Sequence, residues 1–107
     1  MDESLESYNR GMEYLDYNEP DQAIAAFTEA IQRNPRLTHA YFARGFAHAG
    51  RGDFARAVAD YTAAIERDPT LVGAYCNRAA AYQQLGETSK AASDLAKCEA
   101  VRAGRSG

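Results

Sequence analysis

The stretch Tyr41-Phe42-Ala43-Arg44-Gly45-Phe46-Ala47-His48 decides the reading of the chain, because its pattern occurs three times. At an interval of 34 residues stand Tyr75-Cys76-Asn77-Arg78-Ala79-Ala80-Ala81-Tyr82 on one side and Ser7-Tyr8-Asn9-Arg10-Gly11-Met12-Glu13-Tyr14 on the other. Arginine holds the fourth place in every copy, a small residue the fifth (Gly11, Gly45, Ala79) and a ring the eighth (Tyr14, His48, Tyr82). The interval continues downstream through Ala23, Ala57 and Ala91, then Phe27, Tyr61 and Leu95, then Ala30, Ala64 and Cys98. Pro35 and Pro69 close the first two copies, and Ala103 falls where a third proline would stand. A fixed interval of this length marks a stack of supersecondary units, each unable to bury its apolar face alone. The units run 4–37, 38–71 and 72–105 of 107 residues. A single domain over 1–107 is therefore expected, with a short tail at 103–107 that frays.

Each unit reads as two helices. In the second, Ala40, Phe42, Ala43, Phe46, Ala47 and Ala49 are apolar at helical spacing. Gly50-Arg51-Gly52-Asp53 breaks that pattern, and Asp53 is placed to cap the helix that follows. Phe54, Ala57, Val58, Tyr61, Ala64 and Ile65 mark the buried stripe of the second helix. Asp68-Pro69 ends it, since a residue before proline is pushed out of the helical region. The first unit turns at Asn18-Glu19-Pro20 and the third at Gly86-Glu87-Thr88. Pro20 suits a first helical turn.

Composition agrees with helix and bounds function. Alanine, the strongest helix former, is abundant, and only three prolines interrupt the chain. A formal net charge of −3 gives no pull toward nucleic acid or an anionic membrane, and no apolar run approaches the length of a membrane span. The acidic start, Met1-Asp2-Glu3-Ser4-Leu5-Glu6, lacks the basic and apolar stretches of a secretory signal. Two cysteines, Cys76 and Cys98, lie far apart in sequence and are compatible with a reducing cytosol. These features set the expectation of a cytoplasmic protein that binds neither nucleic acid nor membrane, with no cofactor and no metal site.

The recurring pattern resembles the tetratricopeptide repeat. The first unit offers Gly11, Tyr14, Ala23, Phe27, Ala30 and Pro35; the second Tyr41, Gly45, His48, Ala57, Tyr61, Ala64 and Pro69; the third Tyr75, Ala79, Tyr82, Ala91, Leu95 and Cys98. Arginine stands where the family has leucine in all units, and the third lacks the proline. The resemblance implies an all-α right-handed superhelix of three stacked antiparallel helix pairs, whose first helices line a concave groove. It implies a protein-interaction scaffold that holds a protein or peptide partner and is no enzyme. The family's carboxylate-clamping members carry lysine, asparagine and arginine at positions that here hold Tyr8, Met12, Ala43, Gly73 and Asn77. No cation stands among them, so clamping of acidic chaperone tails by that route is not expected.

The groove is expected instead to be lined by Leu5, Tyr8, Met12, Leu15, His39, Phe42, Phe46, Cys76, Asn77 and Gln83, with Ala80 and Gln84 nearby. It is apolar and aromatic at its start and polar at its end, which suits an apolar or amphipathic segment anchored on Tyr8, Phe42 and Phe46. The competing reading makes these side chains part of the core.

Arg10, Arg44 and Arg78 recur, as do Asp60 and Asp94, while Ala26 fills that place in the first unit. Structural ion pairs follow, either within units (Arg44 with Asp60, Arg78 with Asp94) or between them (Arg78 with Asp60). Charge is unevenly spread. Residues 1–37 hold eight acids and three bases, residues 38–71 four of each, and residues 72–107 three acids and five bases. An acidic front and a basic end offer a second functional reading, a structural module that associates with itself through exposed repeat ends. A third, a thiol-dependent enzyme, rests on His39 and Cys76 sharing the groove face.

Overall fold

In the computed structural model, residues 2–104 are described. They form six helices: α1 (Glu3–Asp16), α2 (Pro20–Arg33), α3 (Thr38–Gly50), α4 (Phe54–Arg67), α5 (Val72–Gln84) and α6 (Thr88–Arg102). Consecutive helices pack as antiparallel hairpins, α1 with α2, α3 with α4, α5 with α6, and the hairpins stack in series. Beyond these neighbours, α1 meets α3 and α3 meets α5, whereas α2, α4 and α6 do not approach one another as closely. The first helices of the pairs therefore crowd together on the inner, concave flank. The molecule measures 39 × 29 × 21 Å. Of the tail expected to fray, Ala103 and Gly104 form a turn after α6, and 105–107 lies outside the described residues.

The turns repeat as faithfully as the helices. Asn18, Gly52 and Gly86, again 34 residues apart, take φ of 57°, 82° and 76° and close the first helix of each pair in the left-handed region. Asp53 caps α4, its carboxylate accepting from the Arg56 amide at 3.3 Å. Between pairs, Asn34 and Asp68 leave the helix in extended backbone. Their side-chain oxygens accept from the amides of Arg36 (3.1 Å) and Thr70 (3.0 Å), forming local turns around Pro35 and Pro69.

Close backbone approach explains the small residues. A methyl group on Gly11 would stand 2.5 Å from a ring carbon of Phe27, which is wholly buried, and one on Gly45 would stand 2.8 Å from a ring carbon of Tyr61. Each ring thus lies flush against the backbone of the first helix of its pair. The third pair has the complementary substitutions: Ala79 for the glycine and Leu95 for the ring. Around the two rings lie the buried clusters Ala23, Phe27, Ala43, Ala47 and Ala57, Tyr61, Ala81.

The recurrent arginines are ion-paired within units, and this settles the alternatives left open by the sequence. Arg44 grips Asp60 with two hydrogen bonds of 2.8 Å, and Arg78 grips Asp94 with bonds of 2.6 and 2.8 Å. A third contact from each arginine crosses to the preceding unit: Arg44 donates to the Thr28 hydroxyl (3.1 Å) and Arg78 to the Thr62 hydroxyl (3.0 Å). One side chain therefore ties its own hairpin together and fastens it to the one before. At the first seam the Pro35 carbonyl also accepts from the Tyr41 hydroxyl (3.0 Å) and Arg67 Nε (2.9 Å), with the Arg67 guanidinium 4.2 Å above the Tyr41 ring. Arg10, facing Ala26 instead of an aspartate, makes only an exposed pair with Glu29.

Candidate partner-binding groove

The inner flank holds a groove of about 430 Å³ lined by Tyr8, Met12, Leu15 and Asp16 from α1, His39, Phe42, Ala43 and Phe46 from α3, and Asn77 from α5. A smaller depression of about 240 Å³ continues from it over Phe46 and Asn77 and is lined also by Ala49, Phe54, Tyr61, Ala80, Ala81 and Gln84. Helical periodicity explains the lining. Tyr8, Met12 and Leu15 fall on successive turns of one face, and Phe42 and Phe46 occupy the same register one unit later.

Seven residues expected at the groove are brought together there: Tyr8, Met12, Leu15, His39, Phe42, Phe46 and Asn77. They do not stand equally free. Tyr8 tilts against Phe27 and Phe42 against Tyr61, each pair with ring centroids 5.8 Å apart, so these two aromatics serve the core and the groove wall at once. Phe46 is 56% exposed and Met12 38%, and they form the accessible apolar surface. Asn77 stands beside Tyr61, whose phenol burial pushes up to about 12, with the Asn77 side chain acting in the opposite direction.

The other three expected residues lie elsewhere. Leu5 is exposed on α1 outside the groove, and Gln83 is exposed on α5, where Gln84 takes the lining position. Cys76 is the clearest correction. Its sulfur is bonded to that of Cys98, with the two Cα atoms 5.1 Å apart, so it joins α5 to α6, and it is not among the residues that line the groove. Cys76 holds the register of Tyr8 and Phe42, and Cys98 that of Ala30 and Ala64. In the pair where a leucine replaces the core ring, a covalent link takes over the role that aromatic contact plays in the other two. Separation in sequence concealed this pairing, although the shared repeat register of the two positions was visible. The bond also ties up the thiol that the nucleophile reading required.

Asp16 was not anticipated, although it follows Leu15 and lies one turn beyond Met12, close to the same helical face. Thr28 and Thr62 were also missed, and their 34-residue spacing was the available signal. On the opposite flank, His48 stands where the other units have Tyr14 and Tyr82. It is 9% exposed, with Nε2 3.9 Å from the Asp60 carboxylate and no hydrogen-bond partner for Nδ1. Desolvation lowers its pKa below the usual histidine value, partly opposed by the charges of Asp60 and Asp53.

Helix hairpins stacked in series, with an open flank built from their first helices, define the class of helical-repeat scaffolds. The tetratricopeptide repeat model matches residues 8–72, a second model of that description matches residues 60–92, and the chain belongs to this family. Among solved structures, the TPR2B domain of yeast Sti1 in complex with an Hsp70 peptide is 34% identical, with a TM-score of 0.86 over 89% of this chain and 76% of that one. The TPR domain of Arabidopsis OM64 is 27% identical, with a TM-score of 0.87 over 89% of this chain and 78% of that one. MamA is 25% identical, with a TM-score of 0.86, and there this chain spans 56% of the matched chain. A search of curated protein sequences found no significant match. Tetratricopeptide repeat domains are protein–protein interaction modules, some of which bind peptides.

Proposed function

We propose that this chain holds an apolar or amphipathic segment of a partner protein in the groove between α1, α3 and α5, and that it does not clamp acidic chaperone tails. The observation that carries this reading is the groove lining itself. Exposed Phe46 and Met12 lie beside Tyr8, Leu15 and Phe42, and no lysine or arginine lines the floor. The relatives' complexes with an Hsp70 peptide and with the HSP90 peptide SRMEEVD support a peptide or protein partner. The second of those peptides ends in three acids within four residues. The clamp positions here hold Tyr8, Met12, Ala43, Gly73 and Asn77, which present no counter-charge to a carboxylate.

The deciding experiment compares wild type with Phe46→Ser in pull-down and titration. A cognate segment binds at about micromolar strength, near −8 kcal/mol. Loss of an exposed central anchor weakens it by more than tenfold with little change in melting temperature. Retained binding in Phe46→Ser, or micromolar binding of an acidic tail peptide, sinks the proposal.

A second reading, end-to-end self-association, draws on exposed Leu85, Leu95 and Val101 in the last pair. Yet the residues that fasten the inner seams are replaced at the outer faces, with Ala96 where Thr28 and Thr62 stand and Ser7 where Tyr41 and Tyr75 stand. The groove reading therefore ranks first, and light scattering that shows concentration-dependent growth in mass reverses the order.

A further inference from the structure

The last helix is held by less than its counterparts. The buried residues of α2 are Ala23, Ala26, Phe27 and Ala30, and those of α4 are Ala57, Asp60, Tyr61 and Ala64. Those of α6 are Ala91, Asp94 and Cys98. Leu95, in the register of the two buried rings, is 39% exposed. A buried large apolar side chain is the main force that keeps such a helix on its neighbour, and α6 supplies none. Among the described residues α6 also packs closely on α5 alone, whereas α2 and α4 each lie against two first helices. Two cross-links make up the difference. Arg78 grips Asp94 near the middle of the hairpin, and Cys76–Cys98 joins the helices towards its open end, away from the turn after Gln84.

That bond is one residue from the groove. Asn77 directly follows Cys76 and lines both the main depression and its continuation. Ala80 and Gln84 follow on the next turns of α5. The helix that carries these residues is clamped between α4 on one side and α6 on the other. Cys98 is buried and Cys76 half-buried, so an attacking thiolate reaches the bond from the Cys76 side.

Resting on the groove reading above, we infer that Cys76–Cys98 is a redox latch on the groove: the oxidised chain holds its partner segment, and reduction by a dithiol lets α6 lift from α5 and releases it. A thiolate of the dithiol attacks Cys76 Sγ, the S–S bond breaks, and Cys98 leaves as a thiolate that takes up a proton. The second thiol of the reductant gives up its proton and attacks the reductant sulfur in the mixed disulfide. Cys76 leaves as a thiolate and is protonated in turn. Two electrons and two protons have passed to the protein, and the reductant departs as a cyclic disulfide. The reduced hairpin retains the Arg78–Asp94 pair without its covalent partner. As the closed fraction falls, apparent affinity falls by the same factor.

The test uses the whole chain and a 16-residue peptide selected on its oxidised form from a random display library. Dithiothreitol is expected to weaken that peptide about tenfold. It should speed amide exchange in α6 and along α5 by about 100-fold, with α1 to α4 little changed. Cys76→Ser/Cys98→Ala, its fold verified by circular dichroism, should match the reduced chain and ignore dithiothreitol. If that variant fails to fold, wild type reduced and then reoxidised supplies the comparison, with binding restored on reoxidation. Equal affinity in the two redox states overturns the inference, as does exchange that rises evenly through all six helices. So does a bond that thiol titration finds intact in excess dithiothreitol under native conditions. A peptide that loses binding in Phe46→Ser yet ignores reduction leaves the groove reading standing without the latch. A peptide that ignores both overturns both. One released by reduction but indifferent to Phe46→Ser sits on another surface, which overturns the groove reading and the inference drawn from it.

Discussion

Gly11→Ala provides the sharpest check on how the hairpins are assembled. The new methyl would meet three ring carbons of Phe27 at 2.5, 2.6 and 2.9 Å. The ring cannot swing into solvent, because it is wholly buried among Ala23, Ala43 and Ala47. Overpacking of this severity costs about 3 kcal/mol. Alanine returns about 1 kcal/mol of helix propensity over glycine. The net loss is about 2 kcal/mol, a fall in melting temperature of roughly 8–16 °C. The protein's own third pair supplies the control, since Ala79 there faces a pair with Leu95 in place of the ring. In a Phe27→Leu background, itself weaker by about 1–2 kcal/mol, the ring edge is gone and Gly11→Ala should stabilise by about 1 kcal/mol. The sign of the same substitution thus reverses, with a coupling energy of about 3 kcal/mol. Urea unfolding of the four proteins, followed by circular dichroism, measures it. Additive effects, or a Gly11→Ala that stabilises the wild type, would refute the close-approach explanation.

Three further predictions address the charged core and the staple. Asp60→Ala leaves Arg44 partly buried without its carboxylate and should cost about 3 kcal/mol in chemical denaturation, whereas Glu29→Ala should leave the midpoint unchanged because Arg10 stays solvated. Reduction of the Cys76–Cys98 bond, or Cys98→Ser, should lower stability by about 3 kcal/mol, the value for a loop of this length, and equal melting with and without reductant would contradict it. His48 has a folded-state pKa below 6.5, so the unfolded chain binds its proton first. Its neutral form supports the fold above pH 6.5, and stability drains away as pH falls from there toward the folded-state value. His48→Tyr, the residue found in the other two units, should flatten that acid slope in melts between pH 7.5 and 5.5.

The repeat interval made most of the architecture legible. Short-range rules placed the Asp53 cap, the Pro20 start and the stop at Asp68, and the 34-residue register marked the small residues and the aromatics as recurring positions, though not that each ring lies against the glycine of its own pair. The register also located the groove, because residues one unit apart on first helices fall side by side on one flank. Three features escaped. The choice between within-unit and between-unit arginine pairs depends on the direction a side chain takes from a shared helical face, which periodicity does not encode. The disulfide joins helices whose cysteines are 22 residues apart, and only their shared register with the aromatic and alanine positions hinted at contact. The dual role of Tyr8 and Phe42 was ambiguous because an apolar stripe wider than the core it covers looks the same in sequence whether its margin packs inward or faces water.

The covalent link between α5 and α6 also gives the array a mechanical direction. In a one-dimensional stack each hairpin is held mainly by its neighbours, so a chain stretched by its ends peels from whichever terminus resists least. With the last hairpin cross-linked, tension applied at both ends unravels the molecule from α1 forward. The segment between the two cysteines never pays out, which shortens the fully extended contour by about 70 Å relative to the reduced chain. Optical-tweezer extension curves with and without reductant would display that missing length directly, and the bond would make the C-terminal hairpin the anchor from which the rest refolds.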